Sequence, residues 1–220
     1  MCPKMIASPL LGLAIAVALI AGGRAATEPT PSQIPRGTMD VTKAVAGEYT
    51  LDPQHVGVVA RVSHLGFSMS VFRFGTVSSK LSWDPANIAR SSLAATVDTG
   101  SIETNVAGFA ADLKGPNYLK SAQFPRATFV STAFRQADAT HGKVDGRFTL
   151  MGHTVPVTFD VTLVGAGPGF AGGPVMGHVI GIHAVTHINP QEFGMSPVFV
   201  DPIEISIDTE FYHKRSSHDS

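Results

Sequence analysis

The sequence predicts an all-β domain, an antiparallel eight-stranded barrel with a short lid helix, and three observations carry that reading. Apolar and polar residues alternate strictly over several runs. Val155, Val157, Phe159, Val161 and Leu163 interleave with Pro156, Thr158, Asp160 and Thr162, and Ile203, Ile205, Ile207 and Phe211 interleave with Glu204, Ser206, Asp208 and Glu210. A period of two with one wet face is the mark of antiparallel strands. Clusters of Gly, Pro, Asn and Asp, such as Asp84-Pro85-Ala86-Asn87 and Gly165 to Gly169, separate the runs. One stretch alone, Ser101 to Lys120, changes to helical spacing.

The elements follow in chain order. Lys4 followed by the eleven-residue apolar run Leu10–Ile20 and small residues at Ala21 to Ala25 reads as an export signal over residues 1–25. A helix needs about 20 residues to cross a bilayer, so cleavage fits better than anchoring. The expected location is periplasmic or secreted. Residues 26–46 carry three prolines and several Ser and Thr and read as a flexible linker. The barrel domain is expected over residues 47–213 and a polar tail over 214–220.

Within the domain, weaker alternation marks Val56/Val58/Ala60/Val62, Phe72/Phe74, Val77/Leu81/Trp83, Leu93/Val97, Phe129 with Ala133, Val144 with Phe148 and Leu150, and Val179 to Val185. Together with the two strict runs these make about eight strands. Thr104-Asn105 are expected to cap the helix. Val106, Phe109, Ala110 and Leu113 fall at helical spacing, and Gly115-Pro116 stop it. A barrel of this size fills its interior with side chains or holds one small ligand.

Composition excludes several function classes. The 220 residues include 16 Lys+Arg and 17 Asp+Glu, a formal charge of −1, which gives nucleic acid no field to follow. Cys2 is the single cysteine, so a disulfide framework, an iron–sulfur cluster and a cysteine-ligated zinc site are ruled out. No nucleophile elbow, phosphate-binding loop or dinucleotide fingerprint is present; Gly142 to Gly146 reads as a hairpin. The nine histidines include neither H-x-H nor H-E-x-x-H. His183 and His187 stand about 13 Å apart along an extended strand, too far to share one ion. No metal and no catalytic residue is assigned.

A series of short motifs resembles the YceI family of exported, lipocalin-like polyisoprenoid binders. They are Tyr49-Thr50-Leu51-Asp52 with His55, Val62-Ser63-His64-Leu65-Gly66, Phe72 and Phe74-Gly75, Ser101-Ile102-Glu103-Thr104, Asp112, Tyr118-Leu119-Lys120-Ser121, Phe124-Pro125 and Phe129 to Thr132. Gly146 to Thr154, Phe193-Gly194-Met195, Val200-Asp201 and Ile203 complete the series. Val56, Ala111 and the segment Thr186 to Glu192 depart from the family pattern. The resemblance implies a lipocalin-like barrel around an apolar channel for a long-chain amphiphilic lipid, a polyprenol or an isoprenoid quinone, with no cofactor required. Burying ten methylene-sized groups at about 0.8 kcal/mol each gives about 8 kcal/mol before the costs of association.

The candidate ligand-binding residues follow from inward parity and from the matched motifs. They are Phe72, Phe74, Leu93, Val97, Phe129, Phe148 and Phe159 on strands, Phe109 and Leu113 on the lid helix, and Leu119, Phe193, Met195 and His64 in the motifs. Two readings stay open for His64: it donates to a polar head at the barrel mouth, or it closes a strand before Gly66. His55 is expected to tie the first strand to a turn through Asp52. Two other function classes remain, an enzyme acting on a lipid or quinone and a ligand-free structural barrel. Transient contact with a membrane is compatible with the sequence, as is a homodimer.

Overall fold

β1 (Gly47–His64) is the strand on which the barrel closes. The computed structural model describes residues 35–169 and 177–214. The expected export segment, the first part of the linker and residues 215–220 of the tail lie outside that range. β2 (Ser68–Phe74) and β3 (Val77–Trp83) pair with the upper and lower halves of β1, so the two act as one wall strand broken at Gly75-Thr76. The wall continues through β4 (Ser92–Asp98), with the two-residue β5 (Ile102–Glu103) set against β2. It runs on through β6 (Arg126–Gln136), β7 (His141–Leu150), β8 (His153–Pro168), β9 (Gly177–Ile188) and β10 (Ile203–Lys214). β10 then pairs with β1 from Thr50↔Tyr212 to Arg61↔Glu204, antiparallel like every other pair. Eight wall positions result, and closure leaves no long free edge.

Alternation put most side chains where the sequence placed them. Val58, Leu81, Val144, Phe159, Leu163, Ile203 and Phe211 are buried, while Asp160, Glu204 and Asp208 stand on the outer face. Two strands differ. On β6 a bulge between Ser131 and Ala133 shifts the register, so Phe134 rather than Ala133 follows Phe129 into the interior. On β9 the inward set is Ile180, Ile182, Ala184 and Ile188, opposite in parity to Val179 and Val185. The odd set also carries His183 and His187, which pair outward with Asp208 and Glu204, so the more apolar even set turns to the interior.

Turn chemistry differs from expectation at four places. The glycine-rich 165–168 stretch continues β8 beyond a bulge at Leu163/Gly165. Gly142 to Gly146 lies within β7, and the β6–β7 reversal falls at Ala137–Thr140. α1 (Phe109–Lys114) begins with Gly108, not Thr104 or Asn105, at its capping position, although it does stop at Gly115. The linker is docked from residue 35 onward. Thr38 and Ala166 exchange two backbone hydrogen bonds of 3.0 and 2.8 Å, a helical turn follows at Val41–Lys43, and Ala44 is buried.

Buried side chains gather in three groups inside the barrel. Tyr49, Leu51, Leu81, Leu163, Ile180 and Phe211 form one; Leu150, Met151, Ile188, Phe193 and Ile203 form another. Phe129, Val144, Phe159 and Ala184 form a third between them.

Candidate functional site

The upper half of the lumen is a chamber of about 740 Å³, within the roughly 300–1,000 Å³ common for small-molecule sites. Its walls are the inward faces of the strands: Val58, Ala60 and Val62 of β1, Phe72 and Phe74 of β2, Val97 of β4, Phe148 of β7, and Ile203, Ile205 and Ile207 of β10. Its roof is α1 and the loops around it. Phe109 touches Phe72 and Tyr118 at ring separations of 6.2 Å each, and Tyr118 touches Phe199 at 6.1 Å. This aromatic string ties β2, the lid helix and the loop before β10 into one cover.

Among the described residues, no Asp, Glu, Lys or Arg lines the upper chamber. Its polar groups are uncharged hydroxyls and amides such as Ser70, Thr99 and Asn117, together with His64. A charged group taken in there would lose its hydration without a partner, so the chamber suits an apolar chain. The rim is apolar on its outer side as well. Leu65, Val106 and Val198 border the chamber and are exposed, and Phe67, in the turn that follows Leu65, is 86% exposed.

Below lies a smaller chamber of about 200 Å³ between the lower strands, the β6–β7 hairpin and the turns holding Val41 and Ile88. Its polar lining is largely paired, with Trp83 Nε1 buried and without a hydrogen-bond partner among the described residues. Ser79 donates to the Ala94 carbonyl at 2.9 Å, and Arg135, Asp138 and Lys143 pair with Asp145, His141 and Asp160.

The structure brings most of the sequence-assigned residues together. Phe72, Phe74, Val97, Phe109, Leu113, Leu119, Phe129, Phe148, Phe159, Met195 and His64 all line the upper chamber. Leu93 lines only the lower one. Phe193 lines neither: it is fully buried behind Phe148, with ring centroids 5.4 Å apart, and belongs to the core. Sequence reasoning passed over Phe199, Tyr118 and the inward isoleucines of β10. The alternation of Ile203, Ile205 and Ile207 carried that signal, whereas Phe199 sits in a loop with no periodicity to reveal it.

His64 is exposed at the mouth. His55 lies elsewhere, in the β1 bulge between Leu51 and Val56. Its Nδ1 stands 2.9 Å from Asp52 Oδ2 and 3.9 Å from Glu210 Oε2. The other Asp52 oxygen accepts the Gln54 amide at 2.9 Å. Burial opposes charge on Asp52, but the bonds from His55 and Gln54 outweigh it and hold the carboxyl below its ordinary value. The bond to Asp52, helped by Glu210, raises His55 in turn. Asp52, His55 and Glu210 have potential ligand atoms within 4.8 Å of one another, yet both Asp52 oxygens are engaged and none of the three residues lines either chamber.

Residues 49–211 match the YceI-like domain, which spans the whole closed wall. The chain belongs to the YceI-like family. A UPF0312 protein of Vibrio cholerae is 31% identical over 154 residues, 69% of this chain and 79% of its own. Among solved structures, Burkholderia cenocepacia BcnA superposes with a TM-score of 0.62 at 23% identity, over 73% of this chain and 98% of its own. The Campylobacter jejuni YCEI protein gives 0.59 at 24%, over 70% and 91%. At those identities the structural likeness is one of fold. The YceI-like barrel described above therefore rests on both sequence and architecture, while the lining of its chambers is this chain's own.

Proposed function

We propose that this YceI-like protein binds a long-chain isoprenoid-like lipid, a polyprenol or an isoprenoid quinone, and sequesters or carries it without chemical change. The observation that carries the reading is the upper chamber: about 740 Å³, walled mostly by aliphatic and aromatic side chains and, among the described residues, by no Asp, Glu, Lys or Arg. A purely structural barrel would fill that space with its own side chains. Acid–base catalysis would call for a second titratable group beside His64, and no Asp, Glu, Lys or Cys stands with it among the described lining residues.

The apolar chain lies in the chamber and the polar head stays near His64, Ser68 and Asn117 at the mouth. No cofactor takes part. In this reading residues 1–25 are a cleaved export signal, and the protein works in a periplasmic or extracellular space. The exposed Leu65, Phe67 and Val198 rim makes transient contact with a membrane surface during exchange, driven by apolar area rather than by charge.

The test is solvent extraction and mass spectrometry of gently purified protein, followed by titration with polyprenol and isoprenoid quinone. A bound or acquired lipid at one per chain is expected. The variant Ala60→Trp, which places an indole in the upper lumen, should abolish uptake while the thermal midpoint stays near that of the parent. Absence of both native and added lipid on the parent protein, or full uptake by a folded Ala60→Trp, would overturn the reading.

A further inference from the structure

The two chambers meet at a waist, and the side chains of that waist bear on which ligands fit. Val58, Ala95, Val97, Phe129, Phe159 and Ile207 line both chambers, a ring of residues contributed by β1, β4, β6, β8 and β10. Within the ring, Phe129 and Phe159 meet edge to face, with centroids 5.1 Å apart and planes at 82°. The strand between them, β7, presents Gly146 at this level, paired with Ser131 and Val157.

Gly146 is where the Phe129 ring rests. A Cβ built there would lie 2.2 Å from Phe129 Cζ, 2.4 Å from Cε2 and 2.7 Å from the Val130 carbonyl oxygen, so a side chain at 146 displaces the ring and strains the β6 backbone beside it. The ring therefore occupies the slot that a β7 side chain would fill between Val144 and Phe148. Glycine at 146 lets Phe129 lie along the wall; any larger residue would push it into the lumen. Position 129 is thus set by its neighbour, and the width of the waist with it.

At about 200 Å³ the lower chamber falls below the usual range for an independent ligand site. It gains a use as an extension of the upper one. At its far end the two cations of the β6–β7 hairpin, Arg135 and Lys143, are paired with Asp145 and Asp160, and Asp138 adds a carboxylate, so the described lining offers nothing to attract an anionic head group.

We propose that the lower chamber is a subsite for the terminal end of the bound apolar chain, and that Phe129, seated on Gly146, determines the chain length the protein accepts. The proposal rests on the lipid-binding reading above. Chains short enough to end above the waist bind in the upper chamber alone, and longer ones must pass Phe129 and Phe159.

Trp83 offers a direct readout. It is the single tryptophan of the chain and it lines the lower chamber but not the upper. The probes are all-trans polyprenols of increasing length carrying bromine at the tail end, which quenches indole emission on contact. Native mass spectrometry measures binding, and Trp83 emission reports arrival below the waist. Short probes should bind without quenching and longer ones with it. Phe129→Ala should raise affinity for long chains over short ones at least tenfold, and Gly146→Ala should shift the preference toward short chains. Phe129→Leu serves as a milder variant should either of these fold poorly.

Binding at every length with unchanged Trp83 emission, or a Phe129 variant that alters all lengths equally, would overturn the subsite while leaving lipid binding intact. Failure of every probe to bind would overturn both.

Discussion

Replacing Phe193 by alanine separates a ligand-contacting residue from a core residue. The phenylalanine follows a buried proline in a short helical turn, Pro190–Phe193. Its ring has no exposed surface and packs against Phe148 among Leu150, Met151, Ile188 and Ile203. Truncating a fully buried phenylalanine costs about 3–5 kcal/mol, the transfer free energy plus the cavity left behind, and the lost edge contact with Phe148 falls within that figure. At roughly 2–4 °C per kcal/mol for a domain of this size, the midpoint should fall by about 6–20 °C. The assay is thermal and urea denaturation followed by circular dichroism, with lipid titration well below the new thermal midpoint. Lipid affinity should change little, because Phe193 borders neither chamber. A stability loss under about 1 kcal/mol together with a large loss of lipid affinity would refute the placement and return Phe193 to the ligand site.

Three further outcomes are expected. The His55 contribution to stability should be full below its ordinary value of 6.5 and fade as pH rises through its raised folded value. That of Asp52 should be full above 3.8 and fade as pH falls through its lowered one. Stability measured by denaturation across pH should therefore be greatest between those two values as far as this pair is concerned, and His55→Gln should remove the alkaline-side decline; an unchanged profile would deny the coupling. Met151 and Gly152 both hold positive φ, 51° and 82°, in the tight β7–β8 turn, so Gly152→Ala should cost about 1–2 kcal/mol, whereas no loss on thermal unfolding would contradict the turn geometry. Removing residues 1–44 should cost about 1–3 kcal/mol from the two Thr38–Ala166 hydrogen bonds at about 0.5–1.5 kcal/mol each, and a truncated chain as stable as the parent would show that the docked segment adds nothing.

The parts of the site legible in the sequence were those carried by regular alternation. Phe72, Phe74, Val97, Phe148 and Phe159 reached the chamber because a strand that keeps its period keeps its faces. Phe134 was missed because the bulge after Ser131 depends on pairing with β7, which a local pattern does not contain. Phe193 was misplaced for a related reason: a motif phenylalanine beside a predicted cavity reads the same whether it faces the lumen or lies behind its wall. Phe199 belongs to a loop whose position is set by Tyr118 and the lid.

By itself the sequence determined that the chain makes antiparallel strands with one apolar face, that it makes them without disulfides or cysteine-held metal, and that aliphatic and phenylalanine side chains dominate that face. Each of these is a local or additive property, readable from neighbouring residues or from composition. Tertiary structure decided that β10 closes on β1, that the lumen keeps about 740 Å³ above a waist and about 200 Å³ below it, and that Phe129 lies over Gly146. Volumes and ring contacts of that kind arise between strands far apart in the chain, from register and bulges, and no run of residues along one strand specifies them.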